Sequence, residues 1–160
     1  MKRPWKILNK PKYDKIQDCL FDLRKNKIII SHWILDILKN KKNKIFITKK
    51  KIKLYRIKVK SLGFRKPTTL KKIYNKIDEL NYQLVPVDVA LRTRLKYKNQ
   101  KKGEWLRIAT DMNSMIDSDN VPHLPKLGKA LKKMFIETYW SYPGAIFHPH
   151  IEFVICRYDL

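Results

Sequence analysis

The sequence predicts an α+β protein: an N-terminal helical, helix-turn-helix-like lobe, then a small antiparallel sheet with one packed amphipathic helix. Three observations predict it. Apolar residues recur at helical spacing through most of the first half. Near Leu84 the period shortens to two. From Pro125 helical spacing returns beneath a row of lysines. The chain divides into a basic arm (1–12), a basic helical lobe (13–82) and an α+β lobe (83–160), within the size of one compact unit.

In the arm, Pro4 and Pro11 oppose a helix, and Trp5 and Ile7 are placed to pin it to the core. In "YDKIQDCLFDLR", Tyr13, Ile16, Leu20 and Leu23 share a helix face with Cys19 beside them. Ser31 is an N-cap for "HWILDILKN", with Ile30 and Leu35 as a hydrophobic staple. The stretch 49–62 reads as a helix capped by Thr48 and stopped by Gly63, with Ile52, Tyr55, Val59 and Leu62 inward. The competing reading is a strand, in which Tyr55, Ile57 and Val59 alternate with Arg56, Lys58 and Lys60. Thr68 or Thr69 caps the next helix, which buries Leu70, Ile73, Tyr74, Ile77 and Leu80.

In "LVPVDVALRTRLKYK", Val87, Val89, Leu91, Thr93, Leu95 and Tyr97 alternate with polar or small partners, as in a half-buried strand. With "EWLRIAT" it forms a predicted hairpin. "DMNSMIDSDNVPH" is a polar loop. "PKLGKALKKMFIETYW" reads as a helix with Leu127, Leu131 and Met134 inward and Lys126, Lys129, Lys132 and Lys133 outside. "IEFVICRY" is the final strand.

Charge is the strongest functional signal. From Lys39 to Lys76 there are sixteen lysines and arginines and no aspartate or glutamate. Residues 1–75 carry a net charge of +20 and residues 76–160 only +3. An AT-rich composition explains Lys in place of Arg. It would also enrich Glu, which occurs only at 79, 104, 137 and 152. A concentrated positive field attracts polyanions, of which nucleic acid is the commonest. The densest surface is Lys49, Lys50, Lys51, Lys53, Arg56, Lys58, Lys60, Arg65 and Lys66. Arg92, Arg94, Lys96 and Lys98 form a second strip, with Arg107 beside it on the next strand. Tyr97 and Trp105 are either core or a stacking surface for unpaired bases. The helical lobe holds few arginines, which favours phosphate contacts over base reading. The expected partner is DNA or RNA, met either by a free factor or by a subunit of a nucleoprotein complex with protein partners as well.

Two alternatives stand beside that reading. "FHPHIEF" sets His148, His150 and Glu152 on one face of an extended segment, the ingredients of a small metal-dependent nuclease. The segment resembles the paired-histidine motif of rolling-circle replication and relaxase nucleases. However, Pro149 stands between the histidines, and only Tyr158 follows where that motif has a helix-borne tyrosine. The chain is not assigned to that family. The second alternative is a protein-binding inhibitor or accessory factor of a nucleic-acid-processing complex. Asp111, Asp117 and Asp119 lack the glycine and distal glutamate of a calcium loop.

No cofactor and no bound metal are expected, and enzymatic activity is not the favoured reading. Cys19 and Cys156 stand alone, without the spacing of a disulfide framework or zinc site. The basic N-terminus lacks the apolar run of a secretory signal. No segment reaches the roughly 18 apolar residues of a membrane span. The expected location is cytoplasmic, with the nucleoid or a ribonucleoprotein.

Overall fold

A computed structural model describes residues 2–158. The first elements are β1 (Lys6–Leu8), α1 (Ile16–Lys25), β2 (Ile29–Ile30), α2 (His32–Lys39) and β3 (Ile52–Lys58). A 3-10 turn (Val59–Leu62), β4 (Thr68–Thr69), α3 (Leu70–Glu79) and α4 (Val87–Lys96) follow. The chain then runs through β5 (Trp105–Ile108), β6 (His123–Ala130), β7 (Lys133–Trp140), β8 (Ile146–Phe147) and β9 (Glu152–Arg157).

The architecture is sheet-rich, which corrects the expected helical lobe. Seven strands form one mixed sheet in the order β1-β3-β9-β5-β6-β7-β2, and β4 pairs with β8 in a small ribbon. β2 joins β7, and β5 joins β9, in parallel; the other neighbours are antiparallel. On one face Leu54, Leu106, Leu127, Ile136 and Val154 pack with Leu23 of α1, Ile34 of α2 and Leu91 of α4. On the other, Tyr55, Ile57, Phe153 and Ile155 pack with Leu70, Ile73 and Ile77 of α3. Among the described residues no helix is long and apolar enough to cross a membrane.

Helices α1, α2 and α3 form where their periodicity placed them. Ser31 Oγ accepts from Trp33 N at 3.2 Å, and Thr69 Oγ1 from Lys72 N at 3.3 Å, so both caps are real. Three other segments differ from expectation, each for a physical reason. Residues 52–58 are a strand flanked by β1 and β9, with Ile52, Leu54, Tyr55 and Ile57 all buried. Burial on both faces blurs alternation. Gly63 does adopt a left-handed φ of 99°, but it ends the 3-10 turn, not a long helix.

Residues 87–96 are a helix, not a strand of a basic hairpin. From Val87 to Arg94 every side chain is buried, because sheet and α1 enclose α4. The polar members of the apparent alternation are themselves interior. Asp88 accepts from Thr48 N at 2.7 Å and Thr48 Oγ1 at 2.6 Å. Arg92 donates to Asn9 O, Thr48 O and Asp88. Arg92 thus clips the N-terminal segment and the long loop before β3 onto α4.

Residues 123–140 are a hairpin, not an amphipathic helix. Its turn is Leu131–Lys132, with φ of 49° and 63°. Two-residue hairpin turns favour positive φ at both centres, where Asn and Gly usually sit. Leu131, expected in a core, is 81% exposed. Beyond β5, the loop to β6 is closed by a buried network. His123 Nε2 lies 2.8 Å from Asp117 Oδ2, and Nδ1 lies 2.9 Å from Thr138 Oγ1. A carboxylate only accepts, so Nε2 carries the proton there. Burial tends to raise the Asp117 carboxyl, but the His123 bond and the amides of Val121 and Asp119 outweigh it and hold it below its ordinary value.

Both cysteines are buried free thiols. Burial pushes Cys156 up to about 12 and Cys19 up to about 11, so the reactive thiolate is scarce at neutral pH. Ellman's reagent is expected to leave both unmodified in the native protein over minutes, and to titrate both at once in denaturant. Rapid native labelling would contradict the packing of α1 and β9.

Candidate nucleic-acid interface

Register decides which ends of the strands lie together. Lys58, at the end of β3, is opposite Glu152, at the start of β9. Leu106 of β5 is also beside Glu152. Trp105 faces Gly128 near the end of β6, and Ala130 faces Lys133 at the start of β7. Ile29 of β2 lies beside Phe135, and Lys6 of β1 runs antiparallel to Leu54. One end of the sheet therefore gathers the start of β5, β7, β9 and β2 with the finish of β3 and β6, while β1 pairs only with the first residues of β3.

Cations crowd that end. Lys58 and Lys60 leave β3, and Lys101 and Lys102 precede β5. Lys129, Lys132 and Lys133 surround the hairpin turn. Arg24 and Lys25 end α1, and Lys27 leads into β2 against Lys132 and Lys133. Lys96 and Lys98 leave α4, whose Arg94 reaches the carbonyls of Gly128 and Phe135. Among the described residues none of these surface cations has a carboxylate within 4.0 Å. Burial, with Lys96 nearby, pulls the Lys6 ammonium below its usual value. We call this surface the cationic rim.

Two acids at this end, Glu104 and Glu152, are engaged, while Asp22 lines a groove with Lys96 and Lys98. Arg56 donates to Glu152 at 2.5 Å and to Glu104 at 3.2 Å, and Tyr97 Oη donates to Glu104 at 2.8 Å. Trp5 packs edge-on against Tyr97 at 4.8 Å, with the Arg56 guanidinium 5.3 Å over its ring. Burial disfavours the Arg56 charge, but Glu152 and Glu104 outweigh it and raise its pKa.

The opposite end carries most of the remaining acids. Asp78 and Glu79 finish α3, Asp88 opens α4, and Asp111, Asp117 and Asp119 line the loop after β5. Cations are numerous there too, but some are partnered. Lys49 binds Asp14 at 2.5 Å, and Lys76 binds Glu79 at 3.0 Å.

The sequence-derived surface is thus divided. Lys49, Lys50, Lys51 and Lys53 lie at the acid-bearing end, where β3 begins. Lys58, Lys60, Lys96 and Lys98 lie on the rim. Arg65 and Lys66 are exposed on the link to β4. Arg56 is held by two carboxylates. Arg92 and Arg94 are buried, at 6% and 1% exposure, instead of projecting from a strand face. Sequence reasoning did not bring Lys25, Lys27, Lys101 and Lys102 into the surface, because only strand register brings them together.

His148 and His150 do adjoin, with near-parallel rings 5.8 Å apart. Glu152 turns away from them to Arg56. Among the described residues no three His, Cys, Asp or Glu side chains gather as a metal site. No family model, curated protein or solved structure matches this chain.

Proposed function

We propose that this chain is a nucleic-acid-binding protein that grips the sugar–phosphate backbone with the cationic rim. The observation carrying this reading is convergence: surface cations from five separate segments (24–27, 58–60, 96–98, 101–102 and 129–133) meet at one end, while Glu104 and Glu152 there are taken by Arg56 and Tyr97. Like charges so placed repel one another and destabilise the fold. A polyanion relieves that repulsion. Lysine predominates on the rim, which suits non-directional attraction to phosphate better than base reading. A free factor and a subunit of a cytoplasmic nucleoprotein particle both fit this chemistry.

The test is a salt titration of binding to duplex DNA and to single strands. Log K is expected to fall linearly with log salt, by about 0.9 per neutralised phosphate on duplex and about 0.7 on single strands. Affinity independent of salt on every nucleic acid tried would overturn the reading.

A further inference from the structure

The sheet face that α3 covers over β3 and β9 continues across β5, β6 and β7. There Trp105, Arg107, Lys126, Phe135 and Tyr139 remain only half-buried. Their arrangement follows from register. Trp105, Gly128 and Phe135 form one cross-strand row, and Arg107, Lys126 and Glu137 the next. Gly128 is required where it stands: a Cβ there would fall 2.2 Å from the Trp105 ring. The indole therefore lies against bare backbone. Lys126 Nζ sits 4.6 Å from its ring centroid, and the Arg107 guanidinium sits 5.3 Å over Tyr139.

The cations of this face are poorly compensated. Arg107 and Lys126 are directly opposite on adjacent strands, an unfavourable pairing of like charges. Among the described residues neither has a carboxylate within 4.0 Å, and Arg107 Nε is buried without a partner. Burial lowers the pKa of both, and Arg107 lowers that of Lys126 further, with Glu137 opposing on Lys126 and Tyr139 on Arg107. Against this stand Glu137, opposite Lys126 on β7 but beyond 4.0 Å, and the aromatic faces, worth about 0.5–1 kcal/mol each when exposed. A phosphate is a stronger partner.

We propose that this face is a stacking platform for single-stranded nucleic acid, with Trp105 and Tyr139 taking bases while Lys126 and Arg107 turn from the rings to the phosphates. The proposal rests on the nucleic-acid reading above. Charge complementarity selects the ligand: the Trp105 row opens onto the rim beside Lys101, Lys102 and Lys133. A strand tracking the rim thus reaches the rings. Unpaired bases can stack on a sheet face, whereas a duplex keeps its bases in its own stack. Tyr97, the other aromatic considered for stacking, is 6% exposed and belongs to the opposite face.

Fluorescence anisotropy tests this with one labelled sequence offered as single-stranded DNA, single-stranded RNA and duplex DNA. Trp105→Leu and Tyr139→Leu should each weaken the tighter single strand on the order of tenfold. Duplex affinity and the salt slope should stay as in wild type. Trp105→Phe, which keeps a ring over Gly128, should restore most of the loss and guards against a merely unfolded leucine variant. Unchanged single-strand affinity in both leucine variants, or wild-type preference for duplex, overturns the platform while leaving the rim intact. A wild-type protein that binds none of the three overturns the nucleic-acid reading, and the platform with it.

Discussion

Arg94→Met is expected to destabilise the protein by about 3 kcal/mol or more, as two or more buried acceptors lose their donor at roughly 1–3 kcal/mol each. Arg94 is 1% exposed and has no carboxylate partner. Its Nη1 donates to Gln100 Oε1 at 2.5 Å and to the carbonyls of Gly128 and Phe135 at 3.2 Å. Its Nη2 donates to Tyr97 O at 2.5 Å. One guanidinium thus ties the end of α4 to both arms of the β6–β7 hairpin. Burial pulls its pKa down to about 10, with Tyr97 and Glu104 acting in the opposite direction, so it is still cationic at neutral pH. Methionine keeps much of the volume and removes every donor, which separates bonding from cavity formation. Lysine is not expected to rescue, because one ammonium lacks the planar fork that spans these acceptors. Thermal melts followed by circular dichroism give the answer: a fall of roughly 6–12 °C for a domain of this size. A variant as stable as wild type would show that desolvating the charge outweighs its hydrogen bonds, as buried ion pairs can.

The same residue shows why half the fold was illegible in sequence. Arg92 and Arg94 alternate with Leu91, Thr93 and Leu95, so they mimic the wet face of a strand. Nothing local distinguishes a solvated arginine from one whose partners are the carbonyls of Gly128 and Phe135, far along the chain. The hairpin from His123 to Trp140 hid for a different reason. Its turn uses Leu131 and Lys132 at positive φ, without the Asn-Gly signature, and Leu127, Leu131 and Met134 fall by coincidence at helical spacing. By contrast α1, α2 and α3 each bury one stripe and carry local start signals or a clear period, so they could be read directly.

For the candidate interface, sequence revealed the sign of the charge but not its place. The acid-free stretch from Lys39 to Lys76 runs through both ends of the sheet, because β3 spans the distance between them. Lys101, Lys102, Lys132 and Lys133 come from the half of the chain with little net charge. They join Lys58 only through the pairing of β3 with β9, β9 with β5, β5 with β6 and β6 with β7. Trp105 was visible as an aromatic of the right kind; its exposed face depends on Gly128 across the strand.

Location against total charge can be separated by two variants that each lose four cations. One changes Lys101, Lys102, Lys132 and Lys133 to alanine on the rim. The other changes Lys39, Lys41, Lys44 and Lys51, exposed residues near the end of α2 and the start of β3. Net charge is identical in the two. Counterion release from four lost contacts is worth roughly a hundred- to a thousandfold in affinity near 0.1 M salt. Side-by-side titration of both variants against one single-stranded oligonucleotide is the decisive measurement. Loss of that size with a shallower salt slope in the rim variant, and near-native binding in the other, is the expected result. Equal losses in the two, or the larger loss in the variant near α2, would mean that total charge or the acid-free stretch binds the strand and the rim does not.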